Sequence, residues 1–215
     1  SAGRVTAIER EPIAATIAQA LYPLQNVQLA DFTEFKGQDG YFDAAVGNPP
    51  FASDAQLDKS GRKHLNGLSL HNYFFAKEVD MLREGGILAQ VVTNSFMDAA
   101  SDRSRKYISE RTRLLGAIRL PNNAFSKNAG TDVTTDLIFL QKLPEADWST
   151  KKTKEAAKAW LESRAYTDPR KPGAKLQLNQ YFIDHPEMML GDFGAHGTMY
   201  GPDQAALVAR PGQDT

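Results

Sequence analysis

Hydrophobic and polar positions along the chain predict strands and helices in alternation. Six short apolar segments predict strands, over 4–8, 26–30, 42–47, 87–93, 114–120 and 133–141. Three segments predict helices, over 11–22, 69–83 and about 103–113. The run over 87–93 is apolar almost throughout, as a strand buried on both faces requires. The alternation indicates an α/β fold, with a mostly parallel sheet covered by helices on both faces.

The pattern changes after Leu143. Residues 151–164 predict a charged, mostly exposed helix, and 165–176 is rich in Pro, Lys and Arg, as in a linker. The remaining residues have closely spaced glycines and weak periodicity, which predicts irregular structure. We therefore expect a main domain over 1–145 and an extension over 146–215, made of a charged helix, a linker and an irregular segment.

Composition narrows the class of protein. The 25 Lys and Arg nearly balance the 26 Asp and Glu, which argues against a bulk polycation that coats nucleic acid and leaves a local basic face open. The absence of cysteine removes disulfides, thiolate zinc sites and thiol nucleophiles. No apolar run approaches the roughly 20 residues of a membrane span, and the four histidines lack metal-ligand spacing. We expect a cytoplasmic globular protein without a metal site.

The most informative motif is Asn48-Pro49-Pro50-Phe51, directly after the predicted strand 42–47. In open α/β sheets, ligands bind beyond the carboxyl ends of the strands. Two prolines make this loop rigid and remove two backbone donors. The Asn48 amide oxygen and a neighbouring carbonyl can then accept both hydrogens of one planar amino group, while the Phe51 ring stacks on the ring that carries it.

This motif resembles that of the amino-group methyltransferases, which use S-adenosylmethionine (SAM). The resemblance is to the branch that methylates adenine N6 in DNA, where the loop holds an adenine flipped out of the duplex. It implies a Rossmann-like SAM-dependent methyltransferase fold, with an antiparallel strand over 133–141. Asn48, Pro49, Pro50 and Phe51 would be catalytic. Asn48 would also border the cofactor, together with Glu9, Asp31 and Phe32, which follow the first two predicted strands.

Later segments extend the resemblance to N6-adenine methylases of restriction–modification systems. The segments 71–96, 114–142 and 178–191 most resemble methylase domains of plasmid- and phage-borne helicase–methylase fusions. The motif order is that of the γ arrangement. The resemblance implies a DNA substrate, no membrane, a bacterial, plasmid or phage setting, and a larger polypeptide with helicase and target-recognition parts.

One family feature does not match. A first strand and a Gly-rich cofactor loop would lie about 20 residues before the ribose-binding acid, but only 1–4 precede the strand that leads to Glu9. We expect the fold to lack both.

Other interpretations of the site remain open. An RNA guanine-N2 or a protein glutamine-N5 methyltransferase also carries this type of motif, and a methylase-like scaffold of a helicase or anti-restriction protein would need no catalysis. Arg62 and Lys63, after the motif, are candidates for phosphate contacts, although a solvated loop explains them equally well. Tyr73 and Phe74 are expected in the core rather than against the cofactor.

Overall fold

The computed structural model describes residues 3–50, 54–99, 103–125, 133–198 and 201–212.

The first structural unit is a parallel pair of strands joined by a helix. Strands β1 (Thr6–Glu9) and β2 (Asn26–Leu29) pair in parallel, with Glu9 opposite Leu29. Helix α1 (Pro12–Leu21) connects them. It begins where expected, because the Glu11 carboxylate accepts from the Ala14 N–H at 2.7 Å and Pro12 occupies the first turn.

The main sheet has four strands and carries most of the core. Its strands are β3 (Phe42–Gly47), β4 (Leu82–Thr93), β5 (Thr112–Leu120) and β6 (Thr135–Lys142), in the order β3-β4-β6-β5. Strand β3 is parallel to β4, whereas β6 is antiparallel to both of its neighbours. The antiparallel strand expected over 133–141 is therefore confirmed. In the part of the chain that the structure describes, β1 and β3 do not pair with each other.

Three helices follow the strands of this sheet. Helix α2 (Leu70–Met81) lies between β3 and β4, and the short helices α3 (Ser95–Asp98) and α4 (Arg103–Ser109) lie between β4 and β5. Phe75 and Val79 of α2 pack with Leu88 and Val92 of β4 in one buried cluster. Helix α2 ends before the expected glycines, because Leu82 already pairs with Phe42 in the sheet.

The segment after 145 is more regular than its composition predicts. Helix α5 (Lys151–Leu161) is followed by an antiparallel hairpin of β7 (Ser163–Asp168) and β8 (Lys171–Asn179). Helix α6 (Gln180–Asp184) then leads to a second hairpin, β9 (Asp192–Thr198) with β10 (Gly201–Val208).

The predicted linker over 165–176 and the irregular segment after it are therefore corrected to two hairpins. The reason is visible in β8, where buried Leu176 and Leu178 alternate with exposed Lys175 and Gln177. This period of two is typical of a half-buried strand. Because the exposed face of β8 is polar and charged, the composition of the segment resembled that of a linker.

Side chains from both sides of residue 145 share one hydrophobic cluster. Trp160, Leu178 and Phe182 of the later segment pack in the same cluster as Phe75 and Ile138. The extension therefore completes the core of the main sheet.

Within the described ranges, no helix is both long enough and apolar enough to cross a membrane.

Candidate functional site

Two carboxylates lie together at the carboxyl ends of β1 and β2. Glu9 is the last residue of β1, and its carbonyl accepts from the Ala30 N–H at 2.9 Å, one residue before Asp31. The Glu9 side chain is half-buried, and its Oε1 accepts from the Glu11 N–H at 2.7 Å. The parallel pairing thus brings the two predicted cofactor acids to one edge, as expected for this class of fold.

Asp31 is held in its charged form by its own turn. Its Oδ1 accepts from the Thr33 N–H at 2.8 Å and from the Thr33 hydroxyl at 2.7 Å. Burial acts to raise the pKa of Asp31, but the Thr33 hydrogen bonds and the Arg10 and Lys59 charges outweigh it and hold the pKa below its ordinary value. The side chain remains 35% exposed, so the carboxylate can also accept from a ligand.

The candidate methyl-acceptor loop starts directly after β3. Asn48 is exposed, Pro49 is buried and Pro50 is exposed. The buried Pro49 ring anchors the loop at the sheet edge, and Asn48 remains exposed there. Phe51 lies outside the described residues, so its predicted stacking role stays a prediction.

A buried polar pair lies beside the strand that carries this loop. Gly47 pairs with Gln90 of β4, and a Cβ at Gly47 would lie 2.8 Å from the Gln90 amide nitrogen. That amide donates a hydrogen bond to Glu78 of α2. Burial of the Glu78 carboxyl raises its pKa to about 8, against the opposing hydrogen bond from Gln90. Gly47 thus leaves room for a neutral, hydrogen-bonded pair directly before Asn48.

Phe32 follows Asp31 and belongs to an aromatic cluster. Its ring stacks on Phe74 at 4.5 Å between centroids and meets the edge of Tyr73 at 6.3 Å. Tyr73 is fully buried and Phe74 is half-buried, which agrees with the expected core packing of α2. Phe32 itself is half-buried, so part of its surface remains available beside Asp31.

The two cations predicted to contact phosphate have different surroundings. Arg62 is bound within the protein: its Nη2 donates to the Gly37 carbonyl at 2.5 Å, and the guanidinium pairs with Asp39. Its side chain is only 10% exposed, which argues against a phosphate contact and for a role in folding this segment. Lys63 is exposed in a one-turn helix over Lys63–Leu65, so its phosphate contact stays a prediction.

Sequence reasoning did not identify a buried ionic cluster behind the site. Lys77 of α2 and the Asp58 carboxylate are both inaccessible to solvent, 3.4 Å apart, and Tyr73 donates its hydroxyl hydrogen to Asp58. Burial lowers the pKa of Lys77 and opposes ionisation of Asp58, but hydrogen bonds from Tyr73, Arg62 and Ser60 still hold the pKa of Asp58 well below its usual value. One sequence feature could have indicated this cluster: Lys77 lies in the apolar stripe of α2, three residues after Phe74.

Among the described residues, no group of three or more histidine or acidic side chains is placed to hold a metal ion.

Comparison with solved structures shows that the fold is shared with proteins of type I restriction–modification systems. The EcoKI M protein, from a type I restriction enzyme, is 17% identical, with a TM-score of 0.50; the match covers 86% of this chain and 40% of that chain. A chain from a type I restriction–modification system is 19% identical, with a TM-score of 0.52, over 71% of this chain and 38% of that chain.

Sequence comparison then gives the family. The Eco57I restriction-modification methylase family matches residues 9–125, more than half of the chain. The chain therefore belongs to the Eco57I restriction-modification methylase family, and this membership implies SAM as cofactor. The chain is also 28% identical over 143 residues to the defense against restriction protein B of Escherichia phage P1. That match covers 65% of the chain, which spans only 6% of the phage protein.

Proposed function

We propose that the chain carries the catalytic part of an enzyme that transfers a methyl group from SAM to the N6 amino group of adenine in DNA. The observation that carries the proposal is the exposed Asn48 amide, fixed at the end of β3 by the buried Pro49. The restriction-modification family supports methyl transfer. The choice of DNA adenine rests on the Asn48-Pro49-Pro50-Phe51 motif.

The residues at the ends of β1 and β2 fit the cofactor chemically. Glu9 and Asp31 are acceptors, which suits the hydroxyl groups of a ribose and the amino group of an adenine. Both carboxylates are oriented by backbone N–H donors, from Glu11 and Thr33. Fixed acceptors of this kind bind without the entropic cost of ordering a mobile side chain.

The acceptors near Asn48 would act on the target amino group. In our proposal the Asn48 amide oxygen and the Pro49 carbonyl accept its two N–H bonds, and Phe51 stacks on the base. SAM supplies an electrophilic methyl group on a sulfonium ion. The nitrogen forms the new bond to carbon as the carbon–sulfur bond breaks, and the surplus proton leaves to water.

This arrangement accelerates the reaction through alignment and electrostatics. The nitrogen lone pair must turn out of conjugation with the ring before it attacks, and two fixed acceptors favour that geometry. They also face the positive charge that develops on nitrogen. A strong base is unnecessary, because the N–H bonds become more acidic as the new bond forms.

The wider setting is part of the proposal. The intact protein would act on DNA as a larger polypeptide with helicase and target-recognition parts. The relation to a phage protein named for defence against restriction, of which the chain spans only 6%, supports a larger polypeptide and a restriction setting. The helicase and target-recognition parts rest on the sequence resemblance.

Nucleoside mass spectrometry tests the reaction. Unmethylated plasmid DNA is incubated with SAM and the longest natural polypeptide that contains this sequence. We expect N6-methyladenine with the wild type and a loss of at least about 100-fold with Asn48→Ala, because a transition-state acceptor is removed.

Lys154→Ala, on the exposed face of α5, is the matched control and should keep wild-type activity. Parallel incubations offer RNA or protein in place of DNA. Methylated RNA guanine or protein glutamine there, with unmethylated DNA, would assign one of the other amino-group substrates. SAM binding without any methyl transfer would favour a scaffold.

A further inference from the structure

Lys77 is a buried cation that joins two separate parts of the candidate site. Its side chain has 0% exposure, and lysine is almost never fully buried unless it is paired. Its ammonium group donates to the Phe32 carbonyl at 2.6 Å, the Tyr73 hydroxyl at 3.0 Å and the Ser60 hydroxyl at 3.1 Å. Phe32 belongs to the cofactor side, whereas Ser60 follows the acceptor loop.

The Phe32 contact has two components. The ammonium group lies 4.9 Å from the centre of the Phe32 ring, so the same cation holds both the backbone and the ring of this residue. Phe32 is adjacent to Asp31, whose carboxylate is oriented by Thr33. A shift of the Phe32 carbonyl would therefore displace the Asp31 carboxylate as well.

On its other side, Lys77 contacts the loop that contains Asp58. Its carboxylate accepts from the Arg62 N–H at 2.6 Å, from the Ser60 hydroxyl and from the Tyr73 hydroxyl. It thereby closes residues 58–62 into a compact turn. The Lys59 N–H of this turn donates to the Thr33 carbonyl at 3.0 Å. The turn after the acceptor loop thus docks on the turn after β2.

This docking joins two sides that no strand pairing joins among the described residues. In the described ranges, β1 and β2 form one sheet and β3 belongs to another. Within these ranges, the contacts between the Asp31 side and the segment after Asn48 lie outside the sheets. Of these contacts, the Lys77 ammonium is fully buried and reaches both sides at once.

We propose that Lys77 is a positioning residue that holds the Asp31–Phe32 turn against the turn over residues 58–62. The cofactor acids and the amino-group acceptors then keep the separation that methyl transfer requires. This inference rests on the proposed function. It predicts that loss of Lys77 weakens SAM binding although Lys77 does not contact the cofactor.

The test compares two buried lysines in the longest natural polypeptide that contains this sequence. Lys77→Met removes the docking cation. Lys142→Met is the matched control, because Lys142 of β6 is also buried and donates to a main-chain carbonyl, that of Asp80, at 2.9 Å. Calorimetry measures the SAM dissociation constant, and hydrogen exchange without SAM measures protection of the Thr33, Lys59 and Arg62 amides.

We expect Lys77→Met to raise the SAM dissociation constant at least about tenfold, which corresponds to about 1.4 kcal/mol. The same variant should lose protection at the three amides, and Lys142→Met should do neither. Equal effects of the two variants, at equal losses of melting temperature, would show a general cost of removing a buried lysine and would overturn the inference.

A double variant guards against simple unfolding. Lys77→Met leaves the Asp58 charge buried without its cation, whereas Lys77→Met with Asp58→Asn removes both charges. The double variant should regain melting temperature but not SAM affinity, and recovery of both would overturn the inference. A wild type that binds no SAM would instead contradict the proposed function, and the positioning role with it.

Discussion

Single buried polar residues determine the fine geometry of this protein. Helix α2 carries Lys77 and Glu78 side by side, and both are buried although they are charged types. Lys77 is paired with Asp58, whereas Glu78 is bound to the neutral Gln90 amide. Burial lowers the pKa of Lys77 against the opposing Asp58 carboxylate, and burial raises the pKa of Glu78 against the opposing Gln90 hydrogen bond.

Glu78 predicts a specific dependence of stability on pH. Its pKa is about 8 in the folded protein, against an ordinary value of 4.5. Between these values the folded state retains a proton that the unfolded state has lost. The free energy of unfolding therefore falls as pH rises from about 5 to 8, by up to about 1.4 kcal/mol per pH unit.

Glu78→Gln should remove this contribution, because glutamine keeps the hydrogen-bond acceptor and cannot ionise. Urea unfolding at pH 5, 6, 7 and 8 measures the difference between variant and wild type, which should grow with pH. Glu162→Gln, at an exposed glutamate, is the control. A constant difference for Glu78→Gln would mean that Glu78 is already ionised in the folded protein.

The hairpin of β7 and β8 shows how an element depends on its connections. Asn179 at the end of β8 is fully buried, and its amide donates to the Met97 carbonyl at 2.6 Å and the Trp160 carbonyl at 2.9 Å. Its Oδ1 accepts from the Tyr181 N–H, which caps α6. One side chain thus ties α3, α5 and α6 together.

Asn179→Ala should destabilise the protein by several kcal/mol. Each buried polar group left without a partner costs about 1–3 kcal/mol. The Trp160 carbonyl and the Tyr181 N–H lose the Asn179 side chain as partner, whereas the Met97 carbonyl keeps Arg105 and Ser163. Gln177→Ala, on the exposed face of the same strand, should stay within about 0.5 kcal/mol of the wild type. Chemical denaturation measures both. Similar losses of unfolding free energy in the two variants would mean that the Asn179 side-chain hydrogen bonds add no stability to that of the strand pairing.

The molecule as a whole is held together across residue 145 by charge as well as by apolar packing. Arg119 of β5 is fully buried between Asp98 and Asp136, with contacts of 2.7–3.1 Å. Burial alone would lower the pKa of Arg119, but these two carboxylates raise it above its ordinary value. Asp98 also accepts from the Asn179 N–H, and the Phe182 ring covers the guanidinium at 4.2 Å.

Removal of residues 146–215 should therefore prevent cooperative folding of residues 1–145. The truncation uncovers the buried Arg119. It also removes part of the hydrophobic core cluster, including Trp160, Leu178 and Phe182. Near-ultraviolet circular dichroism and urea unfolding compare the fragment with the full 215-residue chain. A fragment with a native-like spectrum and a sharp transition would show that residues 1–145 form an independent domain.

The agreement between sequence and structure is uneven for physical reasons. The strand at 87–93 was predictable because burial on both faces demands a continuous apolar run. Strand β8 was not, because only Leu176 and Leu178 of its alternating pattern are apolar and buried. Glu9 and Asp31 were predicted from their order along the chain, and the structure places both at one edge of the β1–β2 pair. Arg62 could not be distinguished from a surface arginine until Asp39 and Gly37 were seen beside it.

Local patterns in the sequence alone were sufficient to predict the order of elements before residue 145, the proline-restricted Asn48-Pro49-Pro50 segment and the acids at the ends of the first two strands. These features depend on neighbours in the chain, through periodicity, proline geometry and capping. Only the tertiary structure decided that the extension completes the core and that Lys77 meets Phe32 and Asp58. Those contacts join residues far apart in sequence, and no local pattern encodes which distant carbonyl or carboxylate a buried cation will reach.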